Sequence, residues 1–252
     1  AKVGSRVYSV AGKDRSAIML GGQNPDGAFW FDGKQSFDTW GDTKEAAQVR
    51  LLPLKDFNKT LGTKLKKGPP VWTYSDKTCR NLEQEIELSH GKVLHSRLPP
   101  DAHAPFPGRP ANAAPPPPPW FIDKATLNAA YSLIKSQNLG YGQSVDILAV
   151  GLSGTDKVGH AYGTEGPEMC DHLARIDKYL GRFLDRIKKL KIPVIIAVTA
   201  DHGGGDIVER LKQRGYPRAH RRNPKEILAS FNGAVRSQVE IDWDPLQVGC
   251  LW

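Results

Sequence analysis

Apolar residues along the second half of the chain follow two spacings, which predict strands and a helix. Residues 146–152 and 193–199 are largely apolar runs with the length of strands buried on both faces of a parallel sheet. Between them, apolar residues recur at helical spacing: Leu173, Ile176, Leu180, Phe183, Leu184 and Ile187. A strand, a long helix and a second strand form a β-α-β unit, so the pattern predicts an alternating α/β protein.

Shorter elements are predicted on both sides of this unit. The predicted strands cover residues 6–10, 28–31 and 71–74, and the predicted helices cover residues 16–20, 124–137, 207–214 and a segment that starts at Asn223. The last helix is indicated by an asparagine that can cap it and by Pro224 in its first turn. Two glycines, Gly21 and Gly22, end the helix at 16–20.

Residues 99–119 differ in composition from the rest of the chain. They end in five consecutive prolines, and proline cannot extend a sheet ladder or a helix interior because it lacks an amide hydrogen. An exposed polyproline segment is therefore predicted. We expect residues 1–32 and 120–252 to form the core, and residues 33–119 to form an irregular, cap-like insertion.

Composition limits the class of protein. Of the 252 residues 39% are hydrophobic, which is enough for one sizeable core. No apolar stretch approaches the roughly 18 residues of a membrane span, so none is expected. The net charge of +8 suits an anionic substrate, although the same basic residues also fit solvated helix ends. The basic cluster at Arg218, Arg221 and Arg222 lacks interleaved aromatic residues, so nucleic-acid binding is not expected as a primary role.

Three cysteines, Cys79, Cys170 and Cys250, lie far apart in the sequence. Without a C-x-x-C spacing, a zinc site built on cysteine is not expected. The odd number leaves at least one thiol unpaired within the chain, and one disulfide bond remains possible.

Two pairs of metal-ligating side chains follow the two predicted buried strands. Asp156 and His160 are four residues apart, so one turn of helix places both on the same side. Asp201 and His202 form the second pair and precede three glycines. Adjacent parallel strands lie about 4.8 Å apart, and their carboxyl ends form the ligand crevice of an α/β sheet. The four side chains are therefore expected to converge, and carboxylate with imidazole is a ligand set that suits zinc.

Lys13 and Arg15 form a third candidate group. In an extended segment, residues two apart project to the same face. Both cations could then bind one phosphoryl group, arginine as a planar fork and lysine as a point charge, although an exposed basic turn is the alternative. The remaining histidines have no such partners, and His172 is expected at the surface because it lies off the apolar stripe.

Together these residues resemble the alkaline phosphatase superfamily, and most closely the single-chain bacterial alkaline phosphatases related to type I phosphodiesterases and nucleotide pyrophosphatases. Residues 153–163 read S-G-T-D-K-V-G-H-A-Y-G, residues 199–203 read T-A-D-H-G, and residues 12–18 read G-K-D-R-S-A-I. The resemblance implies an α/β fold with a three-layer alkaline-phosphatase-like sheet sandwiched by helices, incomplete and with an irregular insertion.

The resemblance also implies roles for the candidate residues. Asp156 and His160 would bind one zinc ion, and Asp201 and His202 a second. Lys13 and Arg15 would bind the non-bridging oxygens of the transferred phosphoryl group. Two cations favour phosphate monoesters, because a monoester carries more negative charge than a diester.

The family's nucleophile and its other zinc ligands have no counterpart in this sequence. The resemblance thus implies a zinc-dependent phosphate monoester hydrolase that forms a covalent phosphoenzyme, with the nucleophile outside this chain. We expect the chain to be the middle of a longer, periplasmic or secreted enzyme that acts on small phosphate esters. On its own it is expected to bind zinc weakly and to be inactive or nearly so.

Two other functions stay open at this point. A phosphodiesterase or nucleotide pyrophosphatase would use the same metals on a different ester. A non-catalytic interaction fragment would keep only a relic metal site and would bind partners through its polyproline segment. The sequence does not indicate an oligomeric state.

Overall fold

The structure, a computed structural model, describes residues 4–88, 93–100, 116–221, 224–239 and 246. It contains two compact units, Ala1–Asp206 and Ile207–Trp252. Most of the predicted polyproline segment lies outside the described residues. Its conformation, and the predicted division of the chain after residues 32 and 119, therefore stay predictions.

A mixed sheet forms the centre of the first unit. Its strands are β1 (Val7–Ala11), β2 (Gly27–Phe31), β3 (Phe37–Asp38) and β6 (Ile147–Gly151), in the order β3-β2-β1-β6. Strand β1 is parallel to β2 and to β6, whereas β2 and β3 are antiparallel. A separate antiparallel pair consists of β4 (Gln84–Glu87) and β5 (Val93–Ser96). The strands predicted at 6–10, 28–31 and 146–152 are confirmed to within a few residues.

Helices account for most of the remaining regular structure. They are α1 (Asp14–Gly21), α2 (Lys44–Arg50), α3 (Lys55–Leu65), α4 (Pro119–Ser136), α5 (Gly154–Tyr162), α6 (Pro167–Lys188), α7 (Val208–Gln213) and α8 (Pro224–Val239), with 3-10 turns at Leu52–Leu54 and Lys77–Leu82. All the predicted helices are confirmed. Helix α4 begins earlier than expected, because Pro119 fits the first helical turn, where its missing amide hydrogen is not needed. No helix in the described ranges is long and apolar enough to cross a bilayer.

Successive residues of β1 contact helices on opposite faces of the sheet. The buried Ser9 hydroxyl donates a hydrogen bond of 2.6 Å to the Ala17 carbonyl of α1. Its neighbour Tyr8 donates a hydrogen bond of 3.0 Å to the Gln137 side chain, directly after α4. Because successive side chains of a strand face opposite sides, α1 and α4 cover opposite faces. The predicted three-layer α/β architecture is confirmed.

The predicted strand at 193–199 is wrong. Residues 192–200, all of which the structure describes, adopt no regular secondary structure. Ile195 and Val198 are 99% and 82% exposed. A β-branched run forms a strand only where a neighbouring strand pairs with its backbone. Among the described residues β6 pairs only with β1 and is an edge strand of the sheet, so residues 192–200 do not complete the predicted β-α-β unit.

The strand predicted at 71–74 is also wrong. This described segment has no regular secondary structure. A buried carboxylate on α6 holds it in place of a strand partner: the Trp72 indole donates a hydrogen bond of 2.8 Å to Asp171. The aromatic residues of this segment therefore pack through side-chain contacts rather than through a sheet ladder.

The first turns of α6 are buried on more than one side, which corrects the prediction for His172. This histidine is fully buried, whereas Leu173, assigned to the apolar stripe, is 49% exposed. A single stripe assumes one packing partner. This part of α6 instead contacts α4, α5 and the 3-10 turn at Lys77–Leu82.

One disulfide bond, whose existence the sequence did not decide, joins Cys79 to Cys170. It connects the 3-10 turn at Lys77–Leu82 to α6, immediately before Asp171 and His172. The two cysteines are 91 residues apart in the chain. The bond therefore closes a long loop in the unfolded chain, which lowers the conformational entropy of the unfolded state.

Removing this bond is expected to destabilise the protein. Cys79→Ser combined with Cys170→Ser should lower the free energy of unfolding by about 4.5 kcal/mol, from the entropy of closing a loop of this length. Urea unfolding at neutral pH measures the change. A reductant should shift the wild type to the value of the double variant and should leave the double variant unchanged. Equal unfolding midpoints for oxidised and reduced wild type would contradict the assignment.

Candidate functional site

Lys13 lies at the junction of β1 and α1. It is the N-cap residue of α1 and has an extended backbone, while Arg15 is already in the first helical turn. The expectation that both residues lie in one extended segment is therefore wrong, because α1 begins at Asp14 rather than at Ser16. The Lys13 ammonium forms an ion pair with Asp156 Oδ2. Arg15 is exposed and, within the described ranges, forms no ion pair.

Helix α5 carries the first Asp/His pair, directly after β6. Asp156 is in the first turn of α5 and His160 is in the last. The Nε2 atom of His160 lies 3.1 Å from Asp156 Oδ1. The predicted four-residue spacing therefore places both side chains on one face of the helix, as expected for a helical turn.

The second pair lies in a loop rather than at the end of a strand. His202 Nε2 is 3.8 Å from Asp156 Oδ1 and 3.7 Å from Asp201 Oδ2. The loop is held near the end of α5 by a hydrogen bond of 3.0 Å from the Thr164 amide to Asp206 Oδ1. The structure thus brings His202 to Asp156 without the predicted strand, while Asp201 contacts only His202 in this cluster.

Asp156 is the centre of this cluster. One of its oxygens faces the Lys13 ammonium, and the other faces the imidazoles of His160 and His202. Burial alone would raise the pKa of Asp156, but the contact with Lys13 and the nearby imidazoles outweigh it and lower the pKa. The carboxylate is therefore held in its charged form.

The ring of His202 is oriented by its own loop. Its Nδ1 atom lies 2.7 Å from the Gly203 carbonyl oxygen, which can only accept a hydrogen bond. The Nδ1 atom therefore carries the proton, and a neutral ring presents the lone pair of Nε2 toward Asp156. The bond to Gly203, with Asp201 nearby, also raises the pKa of His202.

The donor set fits zinc in its chemistry, but it is not arranged as a finished metal site. Two carboxylates and two imidazoles are oxygen and nitrogen ligands of the kind that zinc takes. Within the described part of the chain, no group of three or more His, Cys, Asp or Glu side chains is arranged to hold a metal ion. Lys13 neutralises Asp156 in this structure, so a metal ion would have to compete with it.

Helix α5 rests on a buried carboxylate from α4. Both oxygens of Asp123 accept hydrogen bonds from the Gly154 amide, at 3.0 and 3.1 Å. Asp123 is fully buried. Burial raises the pKa of its carboxyl to about 7, although the hydrogen bond from Gly154 acts in the opposite direction.

His172 of α6 completes the contacts below α5. Its Nε2 atom lies 3.1 Å from the Thr155 hydroxyl and 3.5 Å from Asp123 Oδ2. Its Nδ1 atom is buried and has no hydrogen-bond partner among the residues that the structure describes. Burial lowers the pKa of His172 to about 4, so the ring is neutral at physiological pH.

Sequence reasoning missed Asp123 and misplaced His172. A lone Asp near the start of a helix is ordinary, because a carboxylate there stabilises the positive end of the helix dipole. One signal was present: Asp123 and Lys124 interrupt an otherwise largely apolar stretch that runs from Trp120 to Ala130. A charged residue in such a stretch indicates a buried polar partner.

The sequence profile of the family described as type I phosphodiesterase / nucleotide pyrophosphatase matches residues 3–238. This chain belongs to that family. The resemblance to the alkaline phosphatase superfamily is thereby confirmed. The family member described here is also similar to alkaline phosphatase PhoD of Zymomonas mobilis, with 34% identity over 87% of this chain and 36% of the relative. Alkaline phosphatase PhoK of Sphingomonas is 33% identical over 86% of this chain and 36% of the relative.

The fold of this type I phosphodiesterase family member matches a solved structure. Wild-type alkaline phosphatase PafA superposes with a TM-score of 0.68, over 94% of this chain and 45% of the other, at 23% sequence identity. At this identity the likeness concerns the fold alone. The chain spans little more than a third of the length of PhoD and PhoK.

Proposed function

We propose that this chain contributes the metal- and phosphate-binding face of a zinc-dependent phosphate monoester hydrolase. The observation that supports this most is the convergence of Asp156, His160 and His202 with the Lys13 ammonium. Three separate parts of the chain provide these groups: the β1–α1 junction, α5 and the loop that follows α6. Relatives that carry the name alkaline phosphatase support the same reaction class.

Each side chain has a proposed role in phosphoryl transfer. Asp156 and His160 would hold one zinc ion, and Asp201 and His202 a second. When bound, the two ions would activate the nucleophile and stabilise the leaving oxygen. Lys13 would leave Asp156 and bind a non-bridging oxygen of the phosphoryl group, and Arg15 would bind another.

The covalent phosphoenzyme remains part of this proposal, with a nucleophile from outside these 252 residues. Ser9 does not fit that role, because it is fully buried and its hydroxyl is bonded to Ala17. We also propose that the intact enzyme is periplasmic or secreted. A disulfide bond in the fold is consistent with an oxidising compartment.

A phosphodiesterase is the second candidate, and the family match favours it directly. The two reactions differ in the charge of the substrate, since a monoester presents one more negative charge than a diester. Lys13 and Arg15 together would therefore matter more for a monoester.

Substrate charge gives a test on the intact enzyme. Lys13→Ala and Arg15→Ala should each lower kcat/KM for an aryl phosphate monoester about 100-fold, and that for a diester only about 10-fold. Lys34→Ala is the matched control, because it removes an exposed lysine from a turn outside the cluster and should change neither value. Equal losses on both substrates would make the monoester assignment wrong and favour the phosphodiesterase.

A further inference from the structure

Helix α5 does not cap its own first turn. The first amides of a helix have no partner within the helix, and the N-cap side chain usually accepts a hydrogen bond from one of them. Ser153 is at the N-cap, and its side chain makes no capping bond to the described residues of α5. Asp156 is in this same first turn. The position of a proposed ligand thus depends on groups outside α5.

Asp123 supplies the missing acceptor from α4. Both of its oxygens accept from the Gly154 amide. The partial negative charge on these oxygens also suits the positive end of the α5 dipole. The contact is fully buried and therefore not weakened by water.

His172 holds the next residue from α6. Its contact with the Thr155 hydroxyl, at 3.1 Å, lies one residue before Asp156. Both Thr155 and Asp123 approach the same ring atom, Nε2, and the ring is fully buried. A general base in a relay would instead use its two ring nitrogens for two partners. The geometry is that of a support and not of a catalytic group.

The backbone at Gly154 packs closely against α4 and α6. A Cβ atom at this position would lie 2.7 Å from the His172 ring and 2.8 Å from the Pro119 carbonyl oxygen. Only glycine therefore allows the backbone to approach α4 and α6 so closely. The start of α5 is fixed against both helices by contacts from two sides.

From these contacts we infer that Asp123 and His172 are positioning residues, which fix the first turn of α5 and thereby the placement of Asp156 relative to Lys13, His160 and His202. The inference rests on the proposed function in so far as Asp156 binds a metal ion. Both residues are fully buried, so neither is placed to contact a substrate. Both act through the backbone and hydroxyl of the residues before Asp156.

Amide hydrogen exchange tests the support without any metal. In Asp123→Ala, the Gly154 amide should exchange about 10-fold faster or more, because its acceptor is gone. Asp123→Asn keeps one acceptor oxygen and should give an intermediate rate. Asp146→Asn is the control: this partly buried carboxylate also accepts from backbone amides, at Arg6 and Gly140, but pairs with Arg6 rather than with any described residue of α5. An unchanged Gly154 rate in Asp123→Ala would overturn the inference.

Titration with Co²⁺ alone tests the effect on the site, with the visible absorption bands as the readout. Asp123→Ala should weaken Co²⁺ binding about 10-fold and alter the bands, as is usual for residues that orient metal ligands. Asp146→Asn should change neither. Equal affinity and identical bands in wild type and Asp123→Ala would overturn the inference. If the wild type bound no Co²⁺, the proposed metal site would be wrong, and the exchange experiment would still decide whether Asp123 supports α5.

Thr155→Val is a milder substitution that tests the same support if Asp123→Ala does not fold. It removes only the hydroxyl that contacts His172 and preserves the shape of the side chain. With native circular dichroism, it should weaken Co²⁺ binding a few-fold. A folded Thr155→Val with wild-type Co²⁺ affinity and bands would remove His172 from the proposal.

Discussion

Replacing Asp156 with alanine is expected to abolish metal binding and to lower the activity of the intact enzyme by about 1000-fold or more, because several kcal/mol of charge stabilisation depend on the bound metal. The reason is that Asp156 contacts every other member of the cluster except Asp201. Its two oxygens face Lys13 on one side and the imidazoles of His160 and His202 on the other. Without this carboxylate the two histidines have no shared anionic neighbour.

The measurement is a titration with Zn²⁺ or Co²⁺ alone, followed by kcat/KM for an aryl phosphate monoester. Asp14→Ala is the control, since it removes an exposed carboxylate next to Lys13 and changes the net charge equally. It should leave metal affinity unchanged. Metal affinity in Asp156→Ala within about 3-fold of wild type would exclude Asp156 as a ligand, because loss of a ligand costs more than that.

Lys13→Ala should have the opposite effect on metal binding. It removes the cation that neutralises Asp156 in the metal-free protein. Metal affinity should rise about five-fold, since a partly exposed ion pair contributes up to about 1 kcal/mol. Weaker turnover with tighter metal binding would separate the role of Lys13 from that of Asp156.

Single substitutions of Asp123 and His172 should give opposite dependences of stability on pH. Burial raises the pKa of Asp123 to about 7 and lowers the pKa of His172 to about 4, from ordinary values of 3.8 and 6.5. Lys157 opposes the shift of Asp123, and Asp171 opposes that of His172. Both buried groups therefore favour their neutral forms.

The signs follow from proton linkage. Between pH 4 and 7 the folded state keeps a proton on Asp123 that the unfolded state has lost, so this residue makes stability fall as pH rises. Between pH 4 and 6.5 the unfolded state binds a proton on His172 that the folded state does not, so this residue makes stability rise with pH. In the wild type the two contributions to the pH dependence of stability nearly cancel. A variant that removes one group therefore shows the contribution of the other.

We expect the free energy of unfolding of Asp123→Asn, relative to that of the wild type, to increase with rising pH. That of His172→Gln should decrease. Each slope should reach up to about 1.4 kcal/mol per pH unit. Over pH 4 to 6.5 the two variants should diverge by roughly 6 kcal/mol. Urea unfolding at half-unit steps of pH measures both curves. Parallel curves for the two variants would show that neither group titrates differently in the folded and unfolded states.

The sequence predicted elements that depend on local pattern and failed where tertiary partners decide. The four-residue spacing of Asp156 and His160 was sufficient to place them on one helical face, because helix geometry is local. The run at 193–199 has strong strand propensity, but propensity does not supply a strand neighbour. His202 still reached Asp156, because the loop is held by its own contact at Thr164 and Asp206.

Support residues were harder to predict than candidate ligands. The ligands have recognisable chemistry and spacing, whereas Asp123 and His172 act through packing of three helices that are separate in the sequence. Periodicity assigns a helix residue to the core or to the surface from one stripe. His172 is buried because α6 is enclosed on further sides, which no single-helix pattern records.

Within the described structure, β6 is an edge strand of the sheet. Residues 194–200 form an uncharged, solvent-exposed run rich in β-branched residues, and Ile195 is almost entirely exposed. Unpaired strand margins act as templates for other molecules, and short uncharged runs of this kind stack into cross-β assemblies. In concentrated preparations of the isolated chain, copies will therefore tend to pair strand to strand and come out of solution as fibrous aggregates.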